Sequence, residues 1–135
     1  MTENPSTTFE IRSWNEIAYS EGDDGRKLTR AQISKGFSGV IEGEGTLDYL
    51  MTYRPDGSAS FVGQELVTGQ VGGREGSFVL HHAGSYAKGI ASAICTVVPG
   101  SGTGALAGLQ GEGTFSTGHA ERHVFDFEFT VAKPS

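Results

Sequence analysis

The fold is decided by three consecutive segments, ASFVGQELVTGQV (residues 59–71), GG (72–73) and REGSFVLHHAGSYA (74–87). Apolar side chains recur at alternate positions in the first and third segments, which is the period of a β-strand with one buried face. A two-residue glycine loop between such segments is typical of a tight β-hairpin. The segments therefore predict two antiparallel strands joined at Gly72-Gly73.

The same pattern continues outward from this hairpin. Turn signals at Asp23-Asp24-Gly25, Pro55-Asp56-Gly57 and Lys88-Gly89 separate the alternating segments. The loop Pro99–Leu109 is rich in glycine and could hold one helical turn, and residues 1–8 are typical of a loose tail before a domain over 9–135. The predicted strands are Phe9–Trp14, Lys27–Phe37, Val40–Arg54, Ala59–Val71, Arg74–Ala87, Ile90–Val98, Gly111–Thr117 and His123–Val131.

About eight strands without a convincing helix indicate an all-β fold, either a sandwich or a closed barrel. Closure leaves no sheet edge to aggregate, so we predict a single antiparallel eight-stranded β-barrel. Gly43-Glu44-Gly45-Thr46 and Gly111-Glu112-Gly113-Thr114 form a short repeat. Glycines at alternate strand positions let the barrel coil sharply or let a large side chain pass.

Composition excludes several classes of protein. The chain has 135 residues, of which 36% are hydrophobic and 21 are glycine, so it fits one domain with a core and many turns. Its net charge of −6 and the lack of any basic block argue against nucleic-acid binding. A single cysteine, Cys95, excludes an internal disulfide. No apolar run approaches the roughly 18 residues of a membrane span, and the first nine residues lack a signal core, so we expect a cytoplasmic protein.

Two strands define which face is buried. Phe125, Phe127 and Phe129 alternate with polar residues near the end of the chain, and Leu47, Tyr49, Met51 and Tyr53 alternate with polar residues in the third strand. These faces must point inward. The strand carboxylates predicted to point outward are Glu42, Glu44, Asp48, Glu75, Asp126 and Glu128.

The hairpin loops fix the register of the middle strands. If Gly72-Gly73 and Lys88-Gly89 are two-residue loops, Glu65 faces Leu80, and His82 faces Cys95. Burying the apolar residues then buries Glu65, His82 and Cys95 with them. A bulge would instead turn Gln64, Leu66, Val79 and His81 inward and leave Glu65 in water.

A carboxyl group inside an apolar barrel is a candidate acid or base. Desolvation should raise the pKa of Glu65 toward neutrality, and His82, diagonal to it, could share its proton. Tyr49 and Tyr53 could donate hydrogen bonds to a ligand oxygen. The alternative is a structural Glu65–His82 hydrogen bond that only fixes strand register.

Other candidate chemistry has weaker support. Cys95 beside His82 resembles a thiol–imidazole pair, but free cysteine is usually a small buried hydrophobe. His81 and His82 point to opposite faces and cannot share an ion, and with His119 and His123 they form no tight ligand cluster, so we expect no metal. The Gly100–Ala105 loop has GxGxxA spacing without the βαβ context of a dinucleotide site, so we expect no cofactor.

Four segments together resemble a known bacterial family. They are Tyr49–Tyr53, Ser60–Glu65, Gly76–His82 and Val97–Gly104, and they resemble the DUF3224 family, whose members look like small barrels related to allene oxide cyclase. The resemblance implies an allene oxide cyclase-like or calycin-like barrel with a central apolar cavity, a tendency to form homo-oligomers, and a recurrent glutamate and histidine at Glu65 and His82. The family usually has tryptophan where Cys95 stands and often glutamate where Ala105 stands, which implies a larger cavity and a different ligand here.

The residues and the resemblance together predict a cyclase, pericyclase or isomerase for an apolar polyketide- or lipid-like molecule, without a cofactor. Glu65 and His82 are the predicted catalytic residues. Two alternatives stay open: a non-catalytic, lipocalin-like binding protein, and a structural protein whose barrel is filled by side chains. The predicted substrate-binding residues are Tyr49, Met51, Tyr53, Phe61, Phe78, Leu80, Cys95, Val97, Phe125 and Phe127.

Overall fold

The computed structural model describes residues 7–118 and 122–131. Within them the chain forms eight strands and one 3-10 helix, Gly104–Leu106. The strands are β1 (Thr7–Glu21), β2 (Lys27–Ser38), β3 (Ile41–Tyr53), β4 (Ala59–Val71), β5 (Arg74–Ala87), β6 (Ile90–Val97), β7 (Leu109–Thr117) and β8 (His123–Val131).

Each strand pairs antiparallel with the next, and β1 also pairs with β8, so the single sheet closes into a barrel. The predicted all-β fold with eight antiparallel strands is confirmed. Among the described residues the closing seam is short: Thr7–Phe9 pair with His123–Phe125. Among the described residues no helix is both long and apolar enough to cross a membrane.

The register predicted from the two hairpin loops is confirmed. Glu65 pairs with Leu80, and His82 pairs with Cys95. The slipped alternative is wrong, since Gln64, Leu66 and His81 are exposed and Val79 is only half-buried. The carboxylates predicted to point outward are all exposed, namely Glu42, Glu44, Asp48, Glu75, Asp126 and Glu128.

The first strand is much longer than predicted. It runs from Thr7 to Glu21 and pairs with β2 along its length, with register shifts between Ile11 and Ser13 and between Ala18 and Ser20. Residues 7 and 8 of the predicted tail are the first two residues of this strand, and residues 1–6 lie outside the described part of the chain. Residues 17–21 of this strand are exposed on both faces, so they lack the alternation of one buried face from which a strand is predicted.

The interior divides into two parts along the barrel axis. One end, which we call the filled half, is packed solid by Val67, Val71, Phe78, Leu106 and Leu109. The 3-10 helix packs against this end, where Thr103 N donates a hydrogen bond to Ser77 O, 2.8 Å away. The stacked rings of Phe78, Phe127 and Phe129 belong to the same half.

The opposite end, the hollow half, contains Tyr49, Met51, Tyr53, Phe61 and Tyr86. These residues lie near the hairpin that joins β3 to β4, where Tyr53 pairs with Ala59. They face the interior without filling it.

Candidate functional site

A pocket of about 450 Å³ occupies the hollow half. Its floor includes Lys35 and Tyr49, each 4% exposed, and its entrance includes Trp14, which is 45% exposed. The complete lining consists of Phe9, Ile11, Trp14, Glu16, Ile33, Lys35, Tyr49, Met51, Tyr53, Phe61, Tyr86, Gly89, Ala91, Phe115, Thr117 and Gly118.

The pocket contains only part of the predicted binding set. Tyr49, Met51, Tyr53 and Phe61 line it. The other six predicted contacts do not line it, because they pack in the filled half or between the two halves, at the level of Glu65 and His82. These six are Phe78, Leu80, Cys95, Val97, Phe125 and Phe127.

The predicted catalytic pair is brought together but lies beneath the pocket floor. His82 Nε2 lies 2.9 Å from Glu65 Oε1, and the two side chains are 1% and 0% exposed. Neither residue lines the pocket. On the other side of the imidazole ring, Nδ1 lies 2.9 Å from the hydroxyl oxygen of Tyr49, which does line it. Tyr49 therefore connects the buried pair to the pocket.

The prediction of a raised pKa for Glu65 is wrong. Burial alone would raise this pKa, but the ammonium group of Lys35 and the hydrogen bond from His82 outweigh it, so the pKa of Glu65 is lowered. Lys35 Nζ lies 3.7 Å from Glu65 Oε1 and is almost fully buried. Glu65 is consequently ionised: it accepts a hydrogen bond from His82 and pairs with Lys35, and it has no proton to donate.

The sequence contains a signal for Lys35 that the prediction did not use. Lys35 lies in phase with Ala31, Ile33 and Phe37 on the inward face of β2. Its ammonium group sits over the ring of Phe9, 4.3 Å from the centroid, so aromatic faces and one carboxylate together offset the cost of burying this charge.

Burial and neighbouring charges determine the protonation of the buried cluster, which consists of Lys35, Tyr49, Glu65, His82 and Cys95. Burial lowers the pKa of His82, so its imidazole is neutral near pH 7. Burial raises the pKa of Tyr49 and raises that of Cys95 to about 12, so both keep their protons. We therefore assign the Nε2–H tautomer of His82, which donates to Glu65 and accepts at Nδ1 from the Tyr49 hydroxyl.

Cys95 contacts the same ring nitrogen, with Sγ 3.3 Å from His82 Nδ1. Its side chain is fully buried and does not line the pocket. A protonated thiol in this position has no path to a ligand, so the geometry favours the small buried hydrophobe over the nucleophile.

Gly45 provides the space for the Glu65 carboxylate. A Cβ atom at Gly45 would collide with Glu65 Oε2. In the second copy of the short repeat, a Cβ at Gly113 would lie 2.5 Å from the ring of Phe125. The prediction that these glycines let large side chains pass is confirmed at both positions.

A second carboxylate, Glu16, reaches the pocket entrance and was missed by the sequence prediction. Its oxygens accept hydrogen bonds from Thr29 Oγ1 at 2.6 Å, Tyr53 Oη at 2.7 Å and Trp14 Nε1 at 3.0 Å. Burial would raise its pKa, but these three hydrogen bonds, together with the nearby charge of Lys27, lower it below the usual range. Glu16 is therefore ionised near pH 7.

The described residues contain no group of three or more His, Cys, Asp or Glu side chains arranged to hold a metal ion. His82 points inward and His81 is exposed, as predicted from their adjacent positions on β5. His123 lies in β8 and contacts Phe9, while His119 falls outside the described residues.

Comparisons with known proteins agree with this architecture. The model of the DUF3224 family, described as a protein of unknown function, matches residues 6–129. The chain belongs to the DUF3224 family. A crystal structure of a DUF3224 protein of unknown function from Shewanella oneidensis MR-1 is similar, with a TM-score of 0.76 and 30% sequence identity over 96% of this chain and 100% of that one. No curated protein matches this DUF3224 chain.

Proposed function

We propose that this DUF3224 protein binds an apolar, polyketide- or lipid-like small molecule in the hollow half and rearranges it without a cofactor, as a cyclase or isomerase. Small-molecule pockets have volumes of about 300–1,000 Å³ and mostly apolar walls with a few polar groups. The pocket of about 450 Å³ fits this description, because most of its wall is aromatic or aliphatic. We also propose that the barrel is of the allene oxide cyclase-like or calycin-like type, with the pocket as its ligand cavity.

The observation that carries the catalytic part is the hydrogen-bonded series Tyr49–His82–Glu65, which begins at the pocket floor and ends at a buried carboxylate. The series has the logic of a catalytic triad, in which a carboxylate orients a histidine that activates a hydroxyl group. Tyr49 would be the catalytic residue in contact with the ligand. Glu65 and His82 would act through it.

Proton abstraction next to a carbonyl group is the step that suits these groups. A ligand C–H bond breaks, its proton passes to Tyr49 Oη, and the Tyr49 proton passes to His82 Nδ1. The electron pair forms a carbon–carbon double bond and places a negative charge on the ligand oxygen, which Lys35 at the same floor would stabilise. Return of the proton to a different carbon gives an isomer.

Orientation of a flexible substrate would supply much of the remaining rate enhancement. Good positioning of reacting groups can lower a barrier by about 7–11 kcal/mol. The aromatic rings of Tyr49 and Phe61, whose centroids are 4.4 Å apart, give the pocket a rigid wall for this purpose.

Ligand binding can be tested with 1-N-phenylnaphthylamine, an uncharged apolar fluorophore. Met51 lines the pocket, while Leu50, its neighbour in β3, is exposed on the outer face. We expect Met51→Trp to reduce fluorophore affinity at least tenfold by filling the pocket, and Leu50→Trp to leave it unchanged. Equal affinity in the two variants would contradict binding in the hollow half.

Catalysis can be tested by incubating the protein with octan-2-one in D2O and following deuterium incorporation by mass spectrometry. General base catalysis contributes about 10²–10⁴-fold, so we expect Tyr49→Phe to slow exchange by this factor while fluorophore binding is retained. Glu65→Gln should slow exchange less, because the histidine is still present. Exchange by the wild-type protein that is no faster than by Tyr49→Phe would remove the catalytic part of the proposal.

A non-catalytic, lipocalin-like binding protein is the second candidate. It is favoured by the burial of Glu65 and His82, which leaves only Tyr49 and Lys35 of the buried cluster in contact with the pocket. Tight fluorophore binding without deuterium exchange would select this candidate. The homo-oligomeric state and the cytoplasmic location stay predictions.

A further inference from the structure

The entrance of the pocket has a different chemistry from its floor. The register shift between Ile11 and Ser13 places Trp14 opposite Ile33 and Glu16 opposite Ala31, both of which point inward from β2. Without the shift, the alternation set by Phe9 would turn Trp14 and Glu16 outward. The bulge therefore adds one indole ring and one carboxylate to the pocket wall.

Three aromatic residues share the entrance of the pocket with this carboxylate. Trp14, Tyr53 and Tyr86 line the pocket together with Glu16, and the first two hold the carboxylate by hydrogen bonds. Aromatic faces attract organic cations, and combinations of several rings with a carboxylate are used in proteins to bind quaternary ammonium groups. We call these four residues the entrance cage.

The charge of the cage is not balanced by an ion pair. Within residues 7–118 and 122–131, no Lys, Arg or His nitrogen lies within 4.0 Å of the Glu16 carboxylate. The ammonium group of Lys27 is close enough to contribute to the lowered pKa of Glu16, and its Nζ lies 4.7 Å from the centroid of the Tyr53 ring. The protein thus already places one ammonium group beside the cage, while the carboxylate keeps its three hydrogen bonds and forms no direct ion pair within the described residues.

The charge at the floor of the pocket is balanced in a different way. The charge of Lys35 is offset by Glu65 at 3.7 Å, so the floor offers a hydrogen-bond donor and no excess of negative charge. Ile11, opposite Lys35, and Glu16, opposite Ala31, mark the two levels of the pocket. The two levels are four positions apart along β2, and the distance between them is about 13 Å at the rise of a β-strand.

We propose that the ligand of the hollow half carries an ammonium or similar organic cationic group, which the entrance cage binds, at one end of an apolar body that extends toward Lys35 and Tyr49. The inference rests on the proposed function, because it assumes that the pocket takes a small molecule. Trp14 and Glu16 would then select the ligand by its polar end. The acidic net charge of −6 would favour the approach of such a ligand.

The test is a displacement assay with 1-N-phenylnaphthylamine as the reporter and three probes with the same chain length: octyltrimethylammonium, octan-1-ol and octanoate. We expect the ammonium probe to displace the fluorophore at a concentration about tenfold lower than octan-1-ol, because cation–π and carboxylate contacts act only on the charged head. Octanoate should be weaker than the alcohol, since Glu16 repels it.

Three variants identify the cause of this preference. Glu16→Gln keeps the size of the side chain, removes its charge and replaces one acceptor oxygen by an amide donor. It should abolish the preference for the ammonium probe over octan-1-ol, and because both probes are compared in the same variant, a change in fluorophore affinity does not affect this ratio. Glu112→Gln, on the exposed outer face of β7, makes the same change in net charge and should have no effect. Trp14→Leu should reduce the preference by removing one ring of the cage.

The outcomes separate this inference from the proposed function. Failure of the wild-type protein to bind the fluorophore would overturn both. Fluorophore binding without a preference for the ammonium probe, or a preference that survives Glu16→Gln, would overturn the cationic ligand alone. The expected pattern, with a preference lost in Glu16→Gln and kept in Glu112→Gln, would establish the entrance cage as a cation site.

Discussion

The two halves of the barrel are built from the same strands and the same alternation, yet one is solid and the other encloses a pocket. In the filled half, Phe78 stacks with Phe127, and Leu106 from the 3-10 helix covers the end. In the hollow half, Tyr49 and Phe61 lie against the wall and against each other, and no loop of the described residues fills the space between them and β1. Inward-facing apolar residues are therefore necessary for a core but do not ensure that the interior is filled.

The layer between the halves is polar. Lys35, Glu65, His82 and Tyr49 cross the barrel at the level where the packed rings end and the pocket begins. Buried polar groups are costly unless they are paired, and here nearly every one has a partner. Glu65 Oε2 is the exception among the described residues, since it accepts no hydrogen bond. This layer should consequently be the most sensitive part of the barrel to mutation.

The largest effect is expected when the layer loses its cation. Lys35→Met keeps the length and apolar character of the side chain but leaves Glu65 without its counter-charge, and breaking a buried ion pair costs about 3–5 kcal/mol. Urea denaturation would measure this loss in the free energy of unfolding. The double variant Lys35→Met/Glu65→Gln should regain most of it, because no uncompensated charge remains.

If Lys35→Met instead unfolds at the same urea concentration as the wild-type protein, the ion pair does not stabilise the layer. Arg30→Met is the matched control, since Arg30 lies on the outer face of the same strand and forms an exposed pair with Asp48. Exposed pairs contribute at most about 1 kcal/mol, so this control should unfold near the wild-type midpoint.

An intermediate effect should distinguish the two halves directly. Phe78→Ala should cost about 3–5 kcal/mol, because it leaves a closed cavity in the filled half. Phe61→Ala should cost only about 1–2 kcal/mol, because the space it vacates joins a pocket that already opens to water. Both side chains are almost fully buried, at 1% and 4% exposure, so burial alone does not predict this difference. Equal losses in the free energy of unfolding would contradict the division into filled and hollow halves.

The most gradual effect, small for each step in pH, is the dependence of stability on pH. The pKa of His82 is lowered from 6.5, mainly by burial, and that of Glu65 is lowered from 4.5 by Lys35 and His82 against the effect of burial. For both groups the unfolded chain binds a proton more readily than the folded chain. The free energy of unfolding should therefore decrease as the pH falls below 6.5 and decrease more steeply below 4.5, by at most about 1.4 kcal/mol per pH unit for each proton.

Thermal unfolding measured at intervals between pH 7.5 and pH 3.5 would test this sign. Glu65→Gln should flatten the part of the profile below pH 4.5 and leave part of the slope near pH 6. A stability that rises on acidification would show that His82 is charged in the folded protein, contrary to the tautomer assigned here.

Much of this barrel could be predicted from local patterns. The hairpin loops at Gly72-Gly73 and Lys88-Gly89 fix the register of β4, β5 and β6, because a two-residue loop allows only one pairing. The side-chain period of two then places Glu65, His82 and Cys95 inside. This part of the site follows from spacing alone, and the structure confirms it.

The rest of the site depends on features that have no local signature. The bulge near Arg12 reverses the faces of β1, so the sequence did not reveal that Trp14 and Glu16 reach the pocket. The effect of Lys35 on Glu65 depends on a contact between β2 and β4, which are not neighbours in the sheet. Spacing within one strand carries no information about such a contact across the interior.

The sequence by itself determined the eight antiparallel strands and the inward direction of the glutamate and histidine, because alternation and turn length act over a few residues. The tertiary structure decided where the barrel is empty and whether the buried carboxyl group keeps a proton. Both depend on atoms brought together across the barrel from distant strands, and the energy of a buried charge is set by those neighbours rather than by its own strand.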